Sequence, residues 1–209
     1  MSSLPDDVLT EANRSTATAY HFRSPPGKTA WCGGWAICTV NDATGELLIQ
    51  SDWTEACGHR WNVNHLGCPT LTEFLAQDRG GYYDYLIGKL LPPDRRERFS
   101  AEETVKEMHR RIAQARREGD LTRGAARDLW SDVGDLEGYD DRDDFYRHLE
   151  DDTEYGKHFS NTFEDAREVP TREVVALETI ILPALVKACR SELARRGAVA
   201  TNGPQAVPA

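Results

Sequence analysis

Four residues between positions 57 and 68 have the chemistry of zinc ligands. Cys57 and His59 form one short pair, and His65 and Cys68 form a second. Zinc in proteins is held by thiolates and imidazoles that converge tetrahedrally, and two short pairs joined by a loop can supply four of them. The alternative is that the cysteines are small buried thiols. Four protein ligands leave no open position, so such a zinc would be structural rather than catalytic. The favoured expectation is a protein without a cofactor.

The segment from residue 132 to 154 is a second candidate site, because it concentrates negative charge. It contains eleven carboxylates and two arginines, a net −9 in a chain whose net charge is −10. Its central run, Asp140-Asp141-Arg142-Asp143-Asp144, has oxygen ligands for a divalent cation. It lacks the glycine and the glutamate that a calcium loop carries at its sixth and twelfth positions. A solvated acidic helix or loop is therefore the favoured interpretation over a metal site.

Two further interpretations of this acidic segment stay open. An aspartate-rich surface can present carboxylates where a nucleic-acid-binding protein expects phosphates. Alternatively, residues 95–127, with ten basic and six acidic side chains, could neutralise it internally. The arginines proposed for that neutralisation are Arg110, Arg111, Arg116 and Arg117. The residues predicted to contact a partner are Asp140, Asp141, Asp143, Asp144, Asp151 and Asp152.

The elements that position these residues differ between the two halves of the chain. Strand-forming residues 35–40 and 46–51 flank a turn that ends in Gly45, which predicts a β-hairpin. Residues 17–22 and 59–63 are predicted to add a strand on either side. Alternation puts Ala36, Cys38 and Val40 on one face of the first hairpin strand, and both faces are apolar enough to predict a strand covered on both sides.

From residue 70 onward the pattern becomes helical. Thr70 and Ser100 begin capping boxes, and Thr122 and Thr171 begin further helices with apolar stripes at helical spacing. The fold class predicted is α+β, a small antiparallel meander of three or four strands packed by helices, with an acidic helical C-terminal half. Residues 16–196 are predicted to form a single domain, sheet-rich over 16–91 and helical over 92–196. Residues 1–15 are predicted to be a flexible N-terminus and 197–209 a disordered tail.

Composition excludes several classes of protein. With 39% hydrophobic and 29% charged residues the chain is expected to be folded rather than disordered. No apolar run reaches membrane-spanning length, and the N-terminus lacks the pattern of a signal peptide. Five scattered cysteines make a disulfide framework unexpected, which favours the cytoplasm. Four tryptophans near the sheet (Trp31, Trp35, Trp53 and Trp61) are expected at its core and corners, with a partner-binding cluster as the alternative.

A family resemblance covers about residues 35–91. The chain carries a hairpin that ends in Ser51-Asp52-Trp53, followed by Trp61, a Phe74-Leu75 helix and a Tyr85-Leu86 helix. This combination resembles a group of uncharacterised phage and prophage accessory proteins. The resemblance implies a small phage-encoded protein that acts inside a bacterial host cell, and it supplies no activity.

The sequence therefore predicts a non-enzymatic phage protein that inhibits or modulates a host defence protein that handles nucleic acid. Its acidic surface would mimic DNA, so it is expected neither to bind nucleic acid itself nor to contact a membrane. The alternative is a metal-dependent enzyme or zinc-stabilised domain, built on the four zinc-type residues or on the 140–144 cluster. A virion or assembly accessory protein, whose acidity only maintains solubility, is a third possibility.

Overall fold

The computed structural model describes residues 16–23, 33–77 and 81–201, with side chains up to residue 197. The chain forms two compact units. The first unit comprises Met1–Pro93 and Arg172–Ala209, and the second comprises Asp94–Thr171. The last helix thus groups with the sheet and not with the other helices of the C-terminal half. The single domain stays a prediction, which one cooperative unfolding transition would support.

The first unit contains a four-stranded antiparallel meander in the order β1-β2-β3-β4. Its strands are β1 (Thr18–Arg23), β2 (Trp35–Asn41), β3 (Glu46–Ser51) and β4 (Cys57–Arg60). The β2–β3 turn ends at Gly45, whose φ is +70° and whose N–H donates to the Asn41 carbonyl at 2.9 Å. The α+β fold and the hairpin are confirmed, and β4 begins two residues before its predicted start.

Only one face of the central strand β2 is fully buried. Ala36, Cys38 and Val40 are at most 1% exposed, whereas Trp35 on the opposite face is 38% exposed. Leu48, on the neighbouring strand β3, is 40% exposed. The prediction of a strand covered on both faces was therefore wrong. The apolar alternation of β2 indicated its central place in the sheet but not how much of each face is packed.

Helices of the first unit cover the buried face of the sheet. They are α1 (Leu71–Leu75), α2 (Tyr82–Leu90), α7 (Arg172–Ala176) and α8 (Leu182–Thr201), with a π-helical segment, Leu177–Ile181, between the last two. Thr70 caps α1, and its hydroxyl accepts from the Glu73 N–H at 3.1 Å. Helix α8 continues to Thr201, past the predicted tail boundary at 197. Residues 202–209 and the predicted flexible segment 1–15 lie outside the described residues.

The second unit is mainly helical and has its own core. Its helices are α3 (Ala101–Glu118), α4 (Arg123–Gly134), α5 (Arg142–Asp152) and α6 (Tyr155–His158), and its strands β5 (Glu97–Phe99) and β6 (Glu168–Pro170) pair antiparallel. The predicted caps Ser100 and Thr122 both accept a backbone N–H. The core contains Val105, Met108 and Ile112 of α3 and Leu129 and Val133 of α4. Helix α5 packs on this core through one face.

Candidate functional site

The four zinc-type residues lie in separate environments. Cys57 is buried in β4, and the Cys68 thiol donates to the carbonyl oxygens of Leu66 (3.7 Å) and Thr70 (3.5 Å). His59 packs edge-on against Trp61, with ring centroids 4.6 Å apart, and His65 ends a short 3₁₀ turn. Among the described residues, which include all four, no three His, Cys, Asp or Glu side chains form a group suited to a metal ion. The structure does not bring the four together as a ligand set. The aspartates of residues 140–144, all described, do not form a metal-binding group either.

Helix α5 is strongly amphipathic, and its exposed face is acidic. Phe145, Tyr146 and Leu149 are buried against the core of the second unit. Because the helix has 3.6 residues per turn, Asp143 and Asp151 lie on the opposite side, where both are exposed. None of the eleven carboxylates in the fully described segment 132–154 is buried. The structure thus presents the predicted partner-binding residues to solvent.

The acids at the start of α5 have a local structural role. Asp141 is the N-cap, and its carboxylate accepts from the backbone N–H groups of Asp143 (2.9 Å) and Asp144 (3.0 Å). Asp143 and Asp144 occupy the first turn, where the helix dipole favours negative charge. Capping and the dipole together explain why carboxylates suit this end of the helix.

The acids at the end of α5 have no such explanation. Asp151 and Asp152 follow Glu150 in the last turn, where the helix dipole disfavours negative charge, and this fully described turn contains no basic residue. Asp152 contacts Nδ1 of His148 at 2.6 Å. Like charges clustered at this end of the helix repel each other and are expected to cost stability locally.

The arginines of α3 form no ion pair with the acidic segment. Arg110 pairs with Glu107, and Arg111 pairs with Asp165 at 2.5 Å. Across residues 94–171, all of which are described, no salt bridge joins the segment 132–154 to the four arginines proposed for internal neutralisation. Three of the eleven carboxylates, those of Asp144, Asp152 and Glu154, contact Arg147, His148 and Lys157 within or next to the segment. The structure therefore gives no support to internal neutralisation through ion pairs.

The second unit contains a buried charge that the sequence did not reveal. Asp165 is 3% exposed, and its Oδ2 accepts from Arg111 at 2.5 Å and from the Tyr155 hydroxyl at 3.0 Å. Burial, and then the charge of Asp165, raise the pKa of Tyr155 far above its ordinary value, so the phenol stays protonated and donates. No motif marks Asp165, because its two partners lie 54 and 10 residues away.

The residues that carry the family resemblance hold the first unit together. Trp61 donates from Nε1 to the Tyr85 hydroxyl at 3.1 Å, and the ring of Phe74 packs against Trp61 and Tyr82. The hydroxyl of Ser51 accepts from the N–H of Trp53 at 3.1 Å. Trp53 and Trp61 are buried, as expected for core and corner residues, whereas Trp31 lies outside the described residues.

Asp42, also within the resemblance, links three elements of the first unit. Its carboxylate accepts from the Thr72 N–H at 2.7 Å and the Thr72 hydroxyl at 2.8 Å, and it pairs with Arg196 at 3.2 Å. It thereby joins the hairpin turn to α1 and α8. These contacts give the motif a structural role in the first unit.

Comparison with known proteins agrees with the predicted resemblance. A model of a phage family, Phage_phiTE_072, matches residues 13–191, which include the acidic segment and the first half of α8. The chain belongs to this phage family. The match extends well beyond the 35–91 region on which the resemblance rested. Neither the comparison with curated proteins nor that with solved structures gave a match. Within the described residues, no helix has the length and apolar character needed to cross a membrane.

Proposed function

We propose that this phage protein is a non-enzymatic inhibitor or modulator of a host defence protein that handles nucleic acid. It acts in the cytoplasm of the bacterial host, and it contacts its partner through the acidic surface on and beside α5. The contact residues are Asp140, Asp141, Asp143, Asp144, Asp151 and Asp152. The observation that carries the proposal is the exposure of this surface, with which no arginine of the fully described helix α3 forms an ion pair.

The spacing of the carboxylates suits a surface that normally receives a nucleic-acid strand. From Asp141 to Asp152 the helix rises about 16 Å. A single strand of B-DNA carries about five phosphates over that length. The same stretch, α5 with its N-cap, contains six carboxylates, those of Asp141, Asp143, Asp144, Glu150, Asp151 and Asp152. A basic groove on the partner would therefore meet a similar density of negative charge on a rigid helix, and long-range attraction would speed the encounter.

Affinity capture from host lysate tests this proposal with two matched variants. The first replaces the six aspartates by asparagine, which keeps a good N-cap at position 141. The second neutralises six exposed acids elsewhere, with Asn for Asp and Gln for Glu, so that both variants lose the same charge. Those control positions are Glu46, Asp52, Asp84, Asp94, Asp128 and Glu178.

The proposal predicts that the native protein and the control variant capture the same partner at low salt. The six-asparagine variant should fail to capture it, and high salt should release it from the other two proteins. The captured protein should itself bind nucleic acid, and the phage protein should compete with DNA for binding to that partner. Equal capture by all three proteins would show that the aspartates are not the contact surface. Recovery with phage particles instead would favour an assembly role.

A further inference from the structure

A groove in the second unit, between α3 and α4, has the features of a binding surface separate from the six aspartates. We call it the arginine groove. It encloses about 450 Å³, and its lining includes Ala113 and Arg116 of α3 and Arg123, Ala126, Arg127 and Trp130 of α4. The α4 residues recur at helical spacing and form one stripe along the helix. Small alanines set the depth of the groove, because their side chains leave room between the two helices.

The three arginines of this groove are exposed and unpaired. Many acidic residues lie nearby in sequence, yet within the described residues no salt bridge or hydrogen bond engages the guanidinium of Arg116, Arg123 or Arg127. Three guanidinium groups around one groove repel each other, and a negatively charged occupant would relieve that repulsion. Arg116 lies on one bank and the other two lie on the opposite bank, so the occupant should carry carboxylates along both edges.

Trp130 adds an apolar contact that is held in place. It is 47% exposed and stacks on His109, with ring centroids 3.8 Å apart and planes 1° from parallel. His109 also donates from Nε2 to the Trp130 carbonyl at 2.9 Å. A fixed, half-exposed tryptophan beside arginines is the residue combination found at the energetic centres of protein interfaces.

We propose that the arginine groove binds an acidic amphipathic helix of a partner protein. The apolar side of that helix would lie on Ala113, Ala126 and Trp130, and its carboxylates would pair with the arginines on both banks. From Arg123 to Ser131 the groove extends about 12 Å, which corresponds to about two helical turns. An added helix would complete a three-helix arrangement with α3 and α4, a common mode of peptide recognition.

Charge and shape favour this occupant over two others. Residues 94–171 contain 22 Asp and Glu against 14 Lys and Arg, so a long polyanion such as single-stranded nucleic acid meets a repulsive field around the groove. A short docked helix mainly meets the nearby arginines, because the Debye length is about 8 Å at physiological salt. A second copy of α5 fits poorly, since its apolar residues Phe145, Tyr146 and Leu149 are already buried.

A designed probe tests the groove directly. The probe is a fluorescein-labelled helical peptide of about 14 residues, with leucines along one face and glutamates along both edges. Fluorescence anisotropy should give a dissociation constant in the micromolar range at low salt. The variant Arg123→Glu/Arg127→Glu should weaken binding by about tenfold or more, and Trp130→Ala should also weaken it. The matched control Arg23→Glu/Arg98→Glu makes the same charge change at two exposed arginines outside the groove and should bind like the native protein.

Several outcomes would overturn the inference. The inference is wrong if the peptide does not bind at about 1 mM. It is also wrong if a peptide with lysine in place of glutamate binds equally well, or if an oligothymidylate binds more tightly through the same arginines. Self-association that Arg123→Glu/Arg127→Glu abolishes would identify the groove as an interface between copies. Circular dichroism of each variant confirms that it is folded. The groove variants keep all six aspartates, so this proposal and the acidic-surface proposal fail independently.

Discussion

Replacing Asp165 by alanine should destabilise the second unit severely. Asp165 is almost fully buried and accepts hydrogen bonds from Arg111 and from the hydroxyl of Tyr155, which is itself fully buried. A buried hydroxyl left without an acceptor costs about 1–3 kcal/mol. Removing one partner of a buried ion pair costs about 3–5 kcal/mol. Because the Arg111 side chain is 29% exposed and water can solvate part of its charge, we expect a total of about 3–5 kcal/mol.

Urea unfolding followed by circular dichroism measures this loss, and a double-mutant cycle assigns it. Tyr155→Phe removes the hydroxyl and should cost about 1 kcal/mol by itself. In the double variant no hydroxyl is left unsatisfied, so its total should fall below the sum of the two single effects by about 1–3 kcal/mol. Asp165→Asn keeps an acceptor for Tyr155 and should cost less than alanine. A loss of under about 1 kcal/mol for Asp165→Ala, or strictly additive effects, would refute the assigned roles.

Three further predictions concern the first unit. A Cβ on Gly34 would lie 2.3 Å from Nε1 of the buried Trp53, so Gly34→Ala should destabilise by about 1–3 kcal/mol. The control Gly156→Ala, where a Cβ meets nothing within 4 Å, should leave thermal unfolding nearly unchanged, and equal midpoints for the two variants would contradict the steric argument. Asp42→Ala should lower the free energy of unfolding by about 1–3 kcal/mol through the lost Thr72 hydrogen bonds, and Asp42→Asn should lower it less. An alanine variant as stable as the native protein would show that the link is dispensable. Burial, and after it the charge of Lys89, lower the pKa of His59 below the ordinary 6.5. The folded protein therefore favours the neutral imidazole, and the free energy of unfolding should decrease as the pH falls below about 6.5. In NMR titrations Lys89→Met should raise this pKa only part of the way, and an unchanged pKa would exclude Lys89 as a cause.

Helix starts and the hairpin turn were predictable from the sequence because the contacts that decide them are local. Thr70, Ser100 and Thr122 each cap a helix through an N–H three residues ahead. Gly45 closes its turn on Asn41, four residues back. The sequence located the acidic segment but left it as a helix or a loop. The 3.6-residue period that separates the carboxylates of α5 from its apolar residues was present in the sequence as an unused signal.

The arginine groove was predictable only in part. Arg123, Arg127 and Trp130 share one face of a helix that the sequence predicted, and that spacing was available as a signal. Arg116 joins them only because α3 and α4 pack side by side. The helical pattern placed Trp130 among the apolar residues of α4, and the fold leaves it half-exposed.

The sequence by itself determined the β-hairpin, the starts of several helices, the α+β class and the position of the charge, because each depends on residue types within a few positions of one another. Only the tertiary structure decided that the last helix packs with the sheet, that Asp165 is buried with Arg111 and Tyr155, and that the zinc-type residues do not converge. These outcomes depend on contacts between residues far apart in the chain, such as Asp42 and Arg196. A spacing pattern cannot specify them, because the free energy of such contacts depends on how whole elements pack.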